Sequence, residues 1–426
     1  MRLSFIVKTY ILSLLLISCQ ISYLLRDKEV PRRINVNFLY NPSSFSLSAK
    51  IYVFNINDST SELICKIPYH NLTFKKDTIE HTKVLIKYKL YKAPETINLI
   101  DTLNVIYYIT REDKKNYSII RLPLKTKDTT QYVIDLNLIE IGTGKSYRTF
   151  YFFKKSKKVT ENDFLLLNKD GEIIFNFFMK STDTFTIKVR AGIPSKFRVS
   201  VFSDRYQIPS LPFYIGPNKD FYIYKPDTFF VLNICDTCYF NFNFKNSLLH
   251  IHLDTFGNGF TLYYYSDIYP DLRTPSEMLL PLRLLLSEKE FKELYNMPDK
   301  KEALDRFWLN ISSNPERAKE LIKVFYTRVK LANEYFTSYT KGWKTDRGMI
   351  YIIFGLPNII YKSPIIEQWY YGDPSSPKSI VFNFVRKENV FSFNHYILER
   401  NDSYKLQWLQ AVDTWRNGRI FTIISE

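Results

Sequence analysis

Polar and apolar positions alternate over short stretches through the first two thirds of the chain. Residues 45–54, 84–90 and 132–138 keep the period of two of a half-buried strand. Polar clusters at 57–60 and 111–116 separate them, and strands at such spacing predict an antiparallel sandwich-like domain over 34–153. Lys154-Lys155-Ser156-Lys157-Lys158 is a basic break. Beyond it residues 184–190 and 239–244 alternate again, which predicts a second sandwich-like domain over 160–268.

The period changes after Pro275, and 275–340 reads as a helical segment. Ser287-Glu288-Lys289-Glu290 is a capping box. Asn314-Pro315-Glu316 combines an N-cap residue with proline at the first helical position. Ala318, Leu321, Ile322, Phe325, Val329, Ala332 and Phe336 then mark one face of a helix running to about Tyr339. Residues 349–354 are all apolar and end at Gly355 and Pro357, which suits a strand covered on both faces. Residues 367–371, 379–386 and 391–398 give three more strands, the last two joined by a hairpin at Lys387-Glu388-Asn389. A final helix over 404–415 offers Leu406, Leu409, Ala411 and Val412 as its face. The expected fold is multidomain and mainly β. Two β-sandwich-like domains precede the helical segment and a small α/β module over 341–426 with a four-stranded antiparallel sheet.

The amino terminus follows neither period. Arg2 and Lys8 precede an apolar stretch over 11–17 broken only by Ser13. That is short of the roughly 20 residues of a membrane-spanning helix and suits a signal peptide. Leu16-Ile17-Ser18-Cys19 is similar to the bacterial lipobox, with an aliphatic residue at −3 and a small one at −1. Residues 1–18 are thus expected to be a lipoprotein signal peptide, Cys19 the acylated residue and 19–33 a tether. The alternative is an ordinary signal or short anchor that contains a cysteine. Several acyl chains on one residue hold a protein firmly where one is marginal. Gln20, where aspartate would favour inner-membrane retention in the bacterial sorting scheme, points to the outer membrane, with the protein facing the periplasm.

Composition changes this picture little. Among 426 residues there are 34 Phe and 32 Tyr but 12 Gly, which favours β structure; an AT-rich genome would give a similar bias. The net charge is +16, and loss of Arg2 and Lys8 with the leader would leave +14. The positive charges are dispersed, so they serve solubility or attraction to anionic lipid, anionic glycan or an acidic partner. Nucleic acid is not expected as a partner, for no motif of that kind is visible.

The residues at 342–348, Gly342-Trp343-Lys344-Thr345-Asp346-Arg347-Gly348, open the terminal module. They match the signature that names the GWxTD domain of bacterial exported proteins. Phe307-Trp308 and the run from Arg328 to Asn333 resemble its helical lead-in. The run from Ile350 to Pro357 and Trp369-Tyr370-Tyr371 resemble its strand, its turn and its aromatic strand. The resemblance covers about residues 283–400. It departs after Phe307-Trp308, where residues 310–315 replace an acidic, proline-containing segment. The resemblance implies location and architecture, not a reaction. Trp343, Thr345, Asp346 and Arg347 are read as a structural joint or, alternatively, as a ligand or partner site presenting Asp346 and Arg347 as a charged pair.

Other chemistry is sparse. Cys235 and Cys238 are three apart and suit a disulfide across their own turn. The alternatives are a zinc site with His250 and His252, or neither. Cys65 has no evident partner, and His395 reads as a packed or rim histidine. No catalytic residue, metal or cofactor is assigned. Two functional expectations remain. One is a membrane-anchored envelope lipoprotein with a structural or protein-binding role. The other is a periplasmic carbohydrate-binding protein or enzyme with a site between domains.

Overall fold

Inward-facing apolar residues at every second position need a partner sheet, and the computed structural model supplies one twice over. It describes residues 34–422, apart from 76–79, 94–97, 114, 128, 205–207, 217–224 and 254–256. Cys19, Gln20 and the signal and tether lie outside the described residues. The fold is mainly β, with several antiparallel sheets and with helices in the carboxyl-terminal half.

The first seven strands are β1 (Lys50–Asn55), β2 (Thr60–Pro68), β3 (His81–Ala93), β4 (Asn98–Thr110), β5 (Tyr117–Lys125), β6 (Gln131–Glu140) and β7 (Ser146–Lys154). They form two sheets, ordered β1-β2-β5 and β4-β3-β6-β7. Leu63, Cys65 and Ile67 of β2 share one core with Val84, Ile86 and Leu90 of β3 and Ile134, Leu136 and Leu138 of β6. The turn at 57–60 works through Asn57, whose Oδ1 accepts from the Ser59 and Thr60 amides at 2.9 Å each.

The next six strands are β8 (Phe164–Asn168), β9 (Phe185–Val189), β10 (Lys196–Ser203), β11 (Thr228–Asn233), β12 (Ser247–His252) and β13 (Phe260–Tyr264). The β8-β9 pair packs on the sheet β11-β10-β12-β13 around Phe164, Leu166, Phe185, Val199, Leu249 and Leu262. The alternation at 239–244 is not a strand. Only Phe240 bridges to Phe185, while the Phe242 ring reaches Phe185 and Phe230 at 5.9 and 5.5 Å. The alternation there reports rings laid on the sandwich, without a backbone ladder.

The two sandwiches meet through polar as well as apolar contacts. Tyr52 Oη donates to the Phe164 carbonyl at 2.6 Å, and Asn55 Nδ2 to Asp163 Oδ1 at 2.8 Å. Lys155 of the basic break is buried here and donates to Thr126 Oγ1 at 2.9 Å. Burial first, and Arg190 second, bring its ammonium down to about 8.

The carboxyl-terminal part contains α1 (Pro275–Leu279), α2 (Glu288–Tyr295), α3 (Lys300–Ile311), α4 (Pro315–Phe336), α5 (Asp346–Phe354) and α6 (Tyr404–Arg416). The capping box at Ser287 and Glu290 is formed, and Asn314 Oδ1 accepts from the Arg317 amide at 2.8 Å. Four strands, β14 (Ile359–Lys362), β15 (Ile366–Tyr371), β16 (Ile380–Arg386) and β17 (Tyr396–Leu398), form an antiparallel sheet in that order.

Three expectations are corrected here. Residues 349–354 lie in helix α5, not in a strand. All nine residues of α5 are buried, so its sequence is apolar on every side, and over six residues that pattern equals a strand covered twice. The final strand spans three residues, because 387–395 form a loop that closes with the Lys387 amide on the His395 carbonyl. Helix α6 faces inward with Trp408, Ala411 and Trp415, while Leu406 and Leu409 are 62% and 50% exposed.

A short 3-10 helix at Asn37–Tyr40 precedes the first sandwich in sequence but docks on this last sheet. The Val36 amide donates to Ile360 O at 2.8 Å, and Tyr351 Oη to Tyr40 O at 3.1 Å. Among the described residues no helix is long and apolar enough to cross a membrane.

Candidate functional site

The signature residues occupy the turn between α4 and α5. Helix α4 ends at Phe336, Gly342–Lys344 forms a 3-10 turn, and Thr345 caps α5. Thr345 Oγ1 donates to Gly342 O at 2.8 Å and accepts from the Gly348 amide at 3.0 Å. This one hydroxyl therefore closes the turn and satisfies a helix amide that would otherwise lack a partner.

The two glycines are needed for space. A Cβ on Gly342 would lie 2.0 Å from Ala332 O, and one on Gly348 would lie 1.9 Å from Gly342 O. The turn is thus pressed onto the last turns of α4. Trp343 is 3% exposed, and its amide donates to Asn333 Oδ1 at 3.1 Å. Asn333, buried on α4, in turn donates to Pro270 O at 2.9 Å, and the Gly342 amide donates to Tyr269 Oη at 3.2 Å.

Asp346 and Arg347 point into different clusters. Asp346 accepts from the Leu398 amide at 2.7 Å and pairs with Arg400 at 2.6 Å. Arg400 also donates to Ser210 O at 3.1 Å. Arg347 reaches Glu367 Oε2 at 3.1 Å and Asn394 O at 2.9 Å, and its guanidinium stands 4.0 Å from the centre of the Tyr396 ring. Glu367 also meets Lys362 at 3.0 Å and accepts from Trp369 Nε1 at 2.8 Å. Lys362 donates to Tyr40 Oη at 2.8 Å, which brings the amino-terminal segment into the same cluster.

The electrostatics follow from this burial. Glu367 is fully buried. Burial alone would raise its carboxyl, but Lys362 and Arg347 outweigh it and hold the group at about 2. Burial, and then Glu367, push the Tyr40 hydroxyl up to about 12. Two cations and one carboxylate share an interior with no bulk water, so each hydrogen bond is needed to offset desolvation. The lysines of the signature region turn to the second sandwich: Lys341 and Lys344 meet Asp204, just beyond β10, at 3.3 and 3.2 Å.

Residues 247–417 match the family model of the GWxTD domain. The match extends beyond both ends of the resemblance read from sequence. It starts at the first residue of β12, so the GWxTD domain takes in the β12-β13 hairpin as well as α1 to α6 and the last sheet. No curated protein matches the chain.

The cysteine and histidine candidates of the second sandwich lie apart from this joint. Cys235 and Cys238 are joined as a disulfide, so neither offers a thiolate to a metal. His250 Nδ1 bonds Thr261 Oγ1 at 3.0 Å, and His252 Nε2 bonds Ser200 Oγ at 2.9 Å. Both rings are held in the second sandwich, and the zinc alternative fails on these partners. Among the described residues no three His, Cys, Asp or Glu side chains converge as metal ligands. His395 is buried against the Tyr339 ring at 5.1 Å. Burial, Arg347 and Lys387 lower it to about 4.

Sequence reasoning missed Glu367, Lys362, Tyr40, Asn333 and Arg400. One signal was available for Glu367. It shares the inward face of β15 with Trp369 and Tyr371, and a carboxylate on such a face needs a buried cation.

Proposed function

We propose that the chain is an exported envelope lipoprotein, acylated at Cys19, whose GWxTD domain has a structural or protein-binding role. The observation that carries the structural part is the inward direction of every signature side chain. Trp343, Thr345, Asp346 and Arg347 spend their hydrogen-bonding groups on Asn333, Gly342, Gly348, Leu398, Arg400, Glu367 and Asn394. The membrane part rests on Leu16-Ile17-Ser18-Cys19, and the outer-membrane, periplasm-facing placement rests on Gln20.

Strand β4 supports a protein partner. It is the edge of its sheet, thirteen residues long, and carries exposed Leu99, Ile100, Ile106 and Tyr108. Its one charged residue is Asp101, and it holds no proline, so it lacks the devices that usually blunt a free edge.

Two measurements test the reading. Metabolic labelling with a tagged fatty acid should mark the wild type and not Cys19→Ala. Equal labelling of both would contradict acylation at Cys19. Pull-down of the acylated protein from membranes should recover a reproducible protein partner, and Ile106→Lys should weaken that recovery. Recovery of a bound small ligand and no protein would favour a second reading, a carbohydrate-binding protein or enzyme with a site between domains. That reading draws on one observation, an open cavity of about 600 Å³ where the sandwiches meet the GWxTD domain.

A further inference from the structure

The cavity lies between Glu161 and the 175–178 segment on one side and α4 and the 387–395 loop on the other. Its volume of about 600 Å³ is within the roughly 300–1,000 Å³ usual for small-molecule sites. We propose that it binds an organic cation, an amine or guanidinium group held by Glu161 and Glu334 against phenylalanine rings.

The first ground is Glu161. Among the described residues its carboxylate forms no hydrogen bond and no ion pair, and burial alone pushes it up to about 7. Buried carboxylates elsewhere in the molecule are compensated. Asp163, two residues on, has Arg190 at 2.9 Å and Asn55 at 2.8 Å. Glu367 has Arg347 and Lys362. Glu161 is partly buried, faces the cavity and has no cation paired with it among the described residues. Glu334 approaches from α4, and burial raises its carboxyl also.

The second ground is what the other polar groups have left to offer. Asn394 Nδ2 donates to Tyr335 O and Thr337 O, at 2.8 and 3.1 Å, and its Oδ1 accepts from Arg347. The Thr337 hydroxyl donates to Asn333 O at 2.6 Å. Asn176 Oδ1 accepts from the Phe178 amide at 2.6 Å. The acceptor capacity that remains is carboxylate oxygen of Glu161 and Glu334, beside donors from Asn176 Nδ2, Ser392 and the exposed Lys50. Ammonium and guanidinium groups donate and do not accept, so they match that acceptor capacity. Lys50 is the one cationic side chain on the wall, and it is exposed.

The third ground is the apolar wall. Phe175, Phe177, Phe178 and Phe393 are half-buried there, and the face of such a ring attracts a cation, more strongly when water is excluded. A free polyamine and the side chain of a lysine or arginine in a peptide are the two sources of such a cation. Both present the same group to Glu161.

The test is calorimetric titration of the purified full chain in detergent at pH 8. The probes are spermidine, a blocked Gly-Lys-Gly peptide and N-acetylglucosamine. Saturable binding of spermidine or of the peptide is expected, and which of them binds identifies the source. Glu161→Gln should weaken that binding at least tenfold without lowering the thermal unfolding temperature, because it removes an uncompensated charge. Glu334→Gln, on the exposed side of α4, should weaken it too and serves if the first variant does not fold. Three results would overturn the proposal: no amine binding by the wild type at 10 mM probe, variants that bind like the wild type, or binding of the sugar alone.

Discussion

Gly348 and Glu367 carry the joint in different ways. At Gly348 the constraint is distance: the Gly342 carbonyl would lie 1.9 Å from any Cβ. Gly348→Ala must push the turn away from α5, and overpacking of this kind costs about 1–3 kcal/mol. Gly144→Ala is a useful contrast, because a Cβ there meets open space and only the backbone angle is unfavourable. Thermal unfolding of the two variants should show the larger loss for Gly348→Ala. At Glu367 the constraint is charge. Its carboxyl is held at about 2 in the folded chain against an ordinary 4.5. The stability it contributes is therefore complete above about pH 4.5 and is lost as the pH falls from there toward 2. Glu367→Gln leaves Arg347 and Lys362 without their carboxylate, at a cost of about 3–5 kcal/mol near neutrality. Stability measured against pH should also fall less steeply on the acid side for that variant than for the wild type.

Among the elements, the sequence was legible where caps or a one-sided pattern spoke. Asn314-Pro315 and Ser287 with Glu290 marked helix starts that the structure keeps. The alternation of 84–90 and 132–138 is kept as strands β3 and β6, with Val84, Ile86 and Leu90 and Ile134, Leu136 and Leu138 in the core. It was not legible where an element is buried all round. Helix α5 shows no polar face, and its clue was Thr345 three residues before Gly348, a cap rather than a strand turn. On α6 the leucines drew attention from the tryptophans. Trp408 and Trp415 lie seven apart on the buried side, while Leu406 and Leu409 lie outside it. Trp415→Ala should cost about 3–5 kcal/mol. Leu406→Ala should stay within about 0.5 kcal/mol. Denaturant unfolding of both variants checks the assignment, and equal losses would contradict it.

Across the whole molecule, the joint connects parts that are remote in sequence. Tyr40 from the amino-terminal side enters the cluster of Lys362 and Arg347. Asp204 from beyond β10 takes Lys341 and Lys344, and Ser210 takes Arg400. None of these long-range partners follows from local periodicity, so the signature could be found in the sequence while the partners of its side chains could not. The inward partners of Asp346 and Arg347 assign both to holding the fold together rather than to presenting a charged pair to a ligand. Thermal unfolding of Asp346→Asn tests that assignment most directly. This variant keeps the side chain's shape and leaves Arg400 without its anionic partner in a largely buried setting. A loss of about 3 kcal/mol is expected, a fall of roughly 6–12 °C in the unfolding of a domain of this size. Unfolding at the wild-type temperature, together with loss of the partner recovered from membranes, would contradict it.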